Sequence, residues 1–71
     1  MIKIEFDKIK NGYRIITLLG YVKSYDADNI DFTYTVHRNI APVFDLETAM
    51  KYKKILANII AIMNTTENWE V

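Results

Sequence analysis

No cysteine occurs in the 71 residues, there is a single histidine, and nine basic residues cancel nine acidic ones. The first absence excludes disulfides and thiolate metal sites. One histidine leaves a structural zinc site short of ligands. Zero formal net charge argues against a chain whose main task is coating nucleic acid, because non-specific binding there rests on neutralising phosphates. With one proline and two isolated glycines, the chain has neither a flexible linker nor a glycine-rich phosphate loop. The longest apolar run, "ILANIIAIM", is nine residues long and contains an asparagine, far short of the roughly 20 needed to span a bilayer. The opening "MIKIEFDKIK" lacks the apolar centre of a signal peptide. These absences predict one domain over residues 1–71, soluble and cytoplasmic, with no cofactor, no metal and no membrane partner.

What remains is an apolar and aromatic chain: 51% of it is hydrophobic, and it holds five tyrosines. A domain of this size buries only about 60% of its unfolded surface, and such domains commonly draw stability from disulfides, metals or a second subunit. Of these supports, oligomerisation is the one this composition leaves open.

"IKIEF" alternates strictly, Ile2, Ile4 and Phe6 against Lys3 and Glu5, the pattern of a half-buried strand. Asn11-Gly12 then signals a hairpin with a type I′ turn. Ile9 falls out of register with the first strand, which predicts a bulge or a strand end before it. "YRIITLLGYVKSY" reads as one long β-branched and aromatic strand, apolar on both faces, with Gly20 at a bulge or sharp bend. "DADN" is a turn by composition, and "IDFTYTVH" alternates again. Asp45 stands where a helix N-cap belongs, with Glu47 in the first turn. The helix is expected from Leu46 to about Met63, closed by "NTTEN", and "NWEV" at 68–71 is a candidate fourth strand. The fold class is α+β: an antiparallel sheet of three strands, or four with the C-terminal one, and a C-terminal helix packed on one face.

On that helix Glu47, Lys51, Lys54 and Asn58 make one polar line, and Ala49, Leu56, Ile60 and Met63 lie opposite as the expected sheet-facing set. Tyr52, Ile55 and Ile59 flank this set on one side, and Leu46, Met50 and Ala57 flank it on the other. The apolar arc is about twice the width expected of a surface helix. Large exposed apolar patches mark interaction sites, so self-association through Tyr52, Ile55, Ile59 and Ile62 is the leading expectation. The competing reading has Trp69 and the Ile40–Val43 segment wrapping the flanks from within.

Other constellations carry less. Asp26, Asp28 and Asp31 form a negative tip beside Tyr21 and Tyr25. These five are the candidate surface for a foreign, basic partner, since tyrosine is favoured at interfaces. A calcium loop would need a turn glycine and a distal glutamate that this stretch lacks. His37 and Arg38, just before the helix, are candidates for an anion or nucleotide site in the alternative reading of an oligomeric ligand binder. A third reading, nucleic-acid binding through the tyrosines, has too few basic neighbours to support it. Ser24 has no nucleophile elbow to pair with His37, so no enzyme chemistry is expected.

In size, composition and layout, with "APVFDLETAMKY" opening the helix and "NWEV" trailing it, the chain resembles the small accessory proteins of phages that infect Gram-positive bacteria. The resemblance implies a twisted antiparallel sheet followed by a capped helix. It also implies an inhibitor or modulator acting by contact on a host protein, defence enzymes included, in the host cytoplasm. The expectation from this chain is therefore a homodimeric protein-binding module.

Overall fold

A computed structural model describes residues 2–69, with side chains described as far as Ile62. Four strands, β1 (Lys3–Asp7), β2 (Gly12–Thr17), β3 (Gly20–Asp26) and β4 (Asp31–Thr35), form an antiparallel meander in the order β1-β2-β3-β4. One helix, α1 (Leu46–Trp69), follows them. The fold is α+β, as the patterning requires, but its fourth strand arises differently from the one expected. The long apolar stretch after Asn11 is two strands, because the chain reverses at Thr17–Gly20. There the Thr17 hydroxyl accepts from Leu19 N–H at 3.1 Å and donates to Gly20 C=O at 2.9 Å. Gly20 takes φ +120°, and a Cβ on it would sit 2.7 Å from Thr35 O, so only glycine closes this turn. Leu18 and Leu19 become the solvent-exposed turn tip.

Asn11-Gly12 also works differently from a type I′ pair. The loop spans Lys8–Asn11, and only Asn11 is left-handed, at φ +53°. Asp7 shapes it by accepting from the N–H groups of Ile9 and Lys10, both at 2.9 Å. Gly12 already belongs to β2, paired with Asp7. It is small because a Cβ there would meet Val43 Cγ2 at 2.6 Å. The first strand does end at Asp7, leaving Ile9 exposed in the loop.

The core is Ile15, Val22, Phe32, Ala49 and Leu56. Full burial of side chains such as Ile15 and Val22 contributes about 1.5–3 kcal/mol each. A bulge between Val22 and Ser24 keeps this core continuous. Were Lys23 paired in regular alternation, without the bulge, Tyr25 would fall on the face of Tyr21. With it, Tyr25 packs toward the helix, its ring 4.5 Å from Phe32 and 5.3 Å from Tyr52.

The two hairpins are closely paired within themselves, but β2 and β3 share only the pairs Ile16–Tyr21 and Thr17–Gly20. Beside β2, beyond those pairs, Phe44 bridges to Tyr13 through two backbone hydrogen bonds of 2.8 Å. The chain then enters α1 directly. Asp45 caps it, Oδ1 accepting from Thr48 N–H at 2.8 Å, and contacts with the Thr48 side chain and backbone hold its carboxyl below the usual range.

The helix continues past Met63 to Trp69. The Asn and Thr residues of "NTTEN" are weak helix formers rather than stops, and no glycine or proline follows Pro42. Asn68 and Trp69 are therefore helical instead of forming the expected strand, and Glu70 and Val71 lie outside the described residues. Among the described residues, no helix is long and apolar enough to cross a membrane.

Candidate functional site

The face of the sheet opposite the helix holds a charge cluster. Arg14 is on β2, where alternation with Ile15 sends it away from the core, yet it is only 2% exposed. The connection between β4 and α1 covers it. Val43 presses on Gly12, Ala41 is buried, and Arg38 Nε reaches back to Glu5 Oε1 at 3.0 Å. Arg14 Nη1 lies 2.5 Å from Asp7 Oδ2 and 3.8 Å from Glu5 Oε1. The contacts are close but poorly directed, so Nε and Nη1 both lack a well-aligned acceptor. The Asp7 carboxyl is held down to about 2, first by the Lys10 N–H and then by the Arg14 guanidinium. Sequence reasoning gave Arg14 no role. The available signal was the register itself: pairing Ile4 with Ile15 sets Glu5 opposite Arg14.

Of the expected anion site, the Arg38 side chain has a partner and the His37 side chain lies open. Arg38 is held by Glu5, Asp45 is spent on the helix cap, and His37 is exposed, its carbonyl accepting from Ile40 and Ala41 N–H.

The negative tip is assembled as expected for its acidic part. Asp26 and Asp31 pair across the end of the β3–β4 hairpin, and all three aspartates are exposed. Asp26 braces the loop, accepting from Asp28 N–H at 3.0 Å and from the Asn29 side-chain amide at 2.7 Å. These two donors, the Asn29 amide foremost, hold its carboxyl below the usual range. Ile30 in the same loop is 60% exposed and left-handed, at φ +50°. That conformation is strained for a β-branched residue. The two tyrosines nominated with the tip are split by the bulge: Tyr25 faces the helix and Tyr21 the other side.

Along α1 the face that meets the sheet is rotated from the expected one. Ala49 and Leu56 are buried as foreseen, but Ile60 is 40% exposed, and the side chain of Met63 lies outside the described residues. Tyr52, Ile55 and Ile59, nominated for self-association, are half-buried against the core. Tyr52 sits among three rings, with Tyr25, Phe32 and Phe44 at 5.3–5.6 Å. Such aromatic pairs contribute about 0.5–1.5 kcal/mol each beyond their burial. Ile62, the fourth nominee, is exposed.

The rotation leaves two apolar surfaces beside the helix. One is a cleft of about 320 Å³ between α1 and the β2–β3 turn, lined by Leu18, Leu19, Tyr34, Leu56, Ile59 and Ile60. Burial, with Asp31 nearby, raises the Tyr34 phenol above its ordinary value. The other is a shallow trough of about 600 Å³ on the outer side of α1, where Met50 and Ala57 lie between Lys51, Lys53 and Lys54, with Glu47 at one end. The Ile40–Val43 segment covers neither surface, being engaged on the far face of the sheet. Trp69 has its side chain outside the described residues. No protein-family model, curated protein or solved structure matches the chain.

Proposed function

We propose that this chain is a small protein-binding module that acts by contact and works as a homodimer. The observation that carries the reading is the outer side of α1, where Leu46 and Met50 are each 51% exposed, although a 71-residue chain has little apolar surface to spare. Exposed apolar patches of this kind mark interfaces. The half-burial of Tyr52, Ile55 and Ile59 moves the proposed self-contact from that flank to the outer one. Inhibition or modulation of a host protein, the role implied by the phage-protein resemblance, remains the form of activity proposed.

Light scattering over a range of concentrations tests the reading. A wild-type dimer that Met50→Asp converts into a folded monomer is the expected result. A wild type that stays monomeric at every concentration overturns it. Ile55→Asp is the wrong probe, since it buries a charge against the core and would unfold the chain.

A further inference from the structure

The outer trough of α1 carries a charge pattern that selects its occupant. Lys51, Lys53 and Lys54 surround Met50 and Ala57, with Glu47 alone to balance them. Among the described residues, none of the three lysines forms an ion pair. Two such troughs brought face to face would set lysines against lysines, and like charges across an interface oppose association. Symmetric helix-on-helix pairing is therefore disfavoured. The trough suits an acidic surface with an apolar knob at its centre.

The same chain carries that surface at the end of the β3–β4 hairpin. Asp26, Asp28 and Asp31 are exposed with no basic residue among them, and Ile30 projects between Asp28 and Asp31 at 60% exposure. Within a chain of zero net charge, three of the nine acidic residues thus gather at the hairpin tip and three of the nine basic ones on the helix face. Resting on the self-association proposed above, we infer that the β3–β4 loop of one copy seats in the α1 trough of a second copy. Ile30 lies against Met50 and Ala57, and the aspartates face Lys51, Lys53 and Lys54. In a twofold dimer this contact forms twice, loop to trough and trough to loop. Its charges are exposed in the free chain, so salt weakens it.

Charge reversal tests the pairing, with mass by light scattering and fold by circular dichroism. Asp28→Lys and Lys54→Glu are each expected to raise the dissociation constant about tenfold or more while leaving the fold intact. The chain carrying both changes recovers association, because each new lysine meets a new glutamate. A wild-type dimer indifferent to both single reversals overturns the loop-to-trough contact while leaving self-association standing. Weakening by Lys54→Glu alone would mean that a different acidic surface fills the trough, which also overturns it. Tighter pairing after Lys54→Glu would mean helix-on-helix contact, and the loop-to-trough contact would fall with it. A monomeric wild type removes the underlying reading itself.

Discussion

The loops Lys8–Asn11 and Ala27–Ile30 each join two antiparallel strands through four residues, and each follows an aspartate whose carboxylate accepts from the loop it opens. Each also closes on a left-handed residue, Asn11 at φ +53° and Ile30 at φ +50°. The difference lies in what surrounds them. Asp7 spends its second oxygen on buried Arg14, and Gly12, the residue after the loop, lies under Val43. Asp26 spends its second oxygen on Asn29, and Asp31, in the place equivalent to Gly12, is bare. One turn design thus serves as an anchor where the β4–α1 connection folds back over it, and as a free tip where it does not. The anchored loop uses asparagine, which tolerates the left-handed region. The free tip keeps an isoleucine that does not.

The largest effect that separates the two ends is expected from Gly12→Ala. The added Cβ would lie 2.6 Å from Val43 Cγ2 and 3.3 Å from Phe44 O, so the connection must shift. Overpacking of this kind costs about 1–3 kcal/mol, a fall of several degrees in melting temperature for a domain of this size. Asp31→Ala, at the equivalent place on the free tip, is expected to stay within about 0.5 kcal/mol of wild type. Thermal melts of the two variants side by side check this. Equal losses would mean that the connection does not rest on the first hairpin.

Exchanging the left-handed residues sharpens the comparison at a smaller scale. Ile30→Asn should stabilise the fold by about 1 kcal/mol, and Asn11→Ile should cost about as much, since the left-handed conformation is penalised by roughly 1–2 kcal/mol per ordinary residue. Urea titration reads both. If Ile30→Asn also weakens self-association, the strain at the tip is being kept for a contact rather than for the fold.

Much of this architecture was legible in the residues. The Asp45 cap and the alternation that gives β1 and the centre of β4, Phe32 and Tyr34, encode local rules that tertiary packing did not override, whereas Ile30 and Val36, read onto the same face, lie outside β4 and are exposed. The misreadings fall where one residue's reason lies far away in the sequence. Leu18 and Leu19 look like strand interior, and only the Thr17 hydroxyl and the approach of Thr35 to Gly20 make them a turn. Period-2 reading cannot see the bulge at Lys23, which moves Tyr25 to the other face. Gly12 looked like half of a turn signal, and its cause is Val43. For the candidate surfaces, the acidic tip was readable from composition. Which flank of α1 stays open depended on a rotation that the near-uniform apolar arc left undetermined.

The smallest expected effect is in the pH dependence of stability, and it separates the two aspartates. The Asp7 carboxyl sits at about 2 against an ordinary 3.8, held there first by the Lys10 N–H and then by Arg14. Asp26 is lowered too, chiefly by the Asn29 amide. A carboxyl with a lowered folded pKa binds fewer protons in the folded chain than in the unfolded one, so its stabilisation is complete above the unfolded value and drains as the solution is acidified. For Asp7 the loss runs from about pH 4 down toward pH 2. Asp7→Asn should therefore flatten the acid limb of a stability–pH curve across that window. It should also lower the plateau at neutral pH, where Arg14 loses its nearest carboxylate. Asp26→Asn should flatten the limb and lower the plateau less than Asp7→Asn does, because only its own loop contacts are lost and no buried charge depends on it. Denaturant titrations at a series of pH values distinguish the two. A plateau unmoved by Asp7→Asn would show that Arg14 is balanced by Glu5 and that the anchored loop is held by Val43 packing alone.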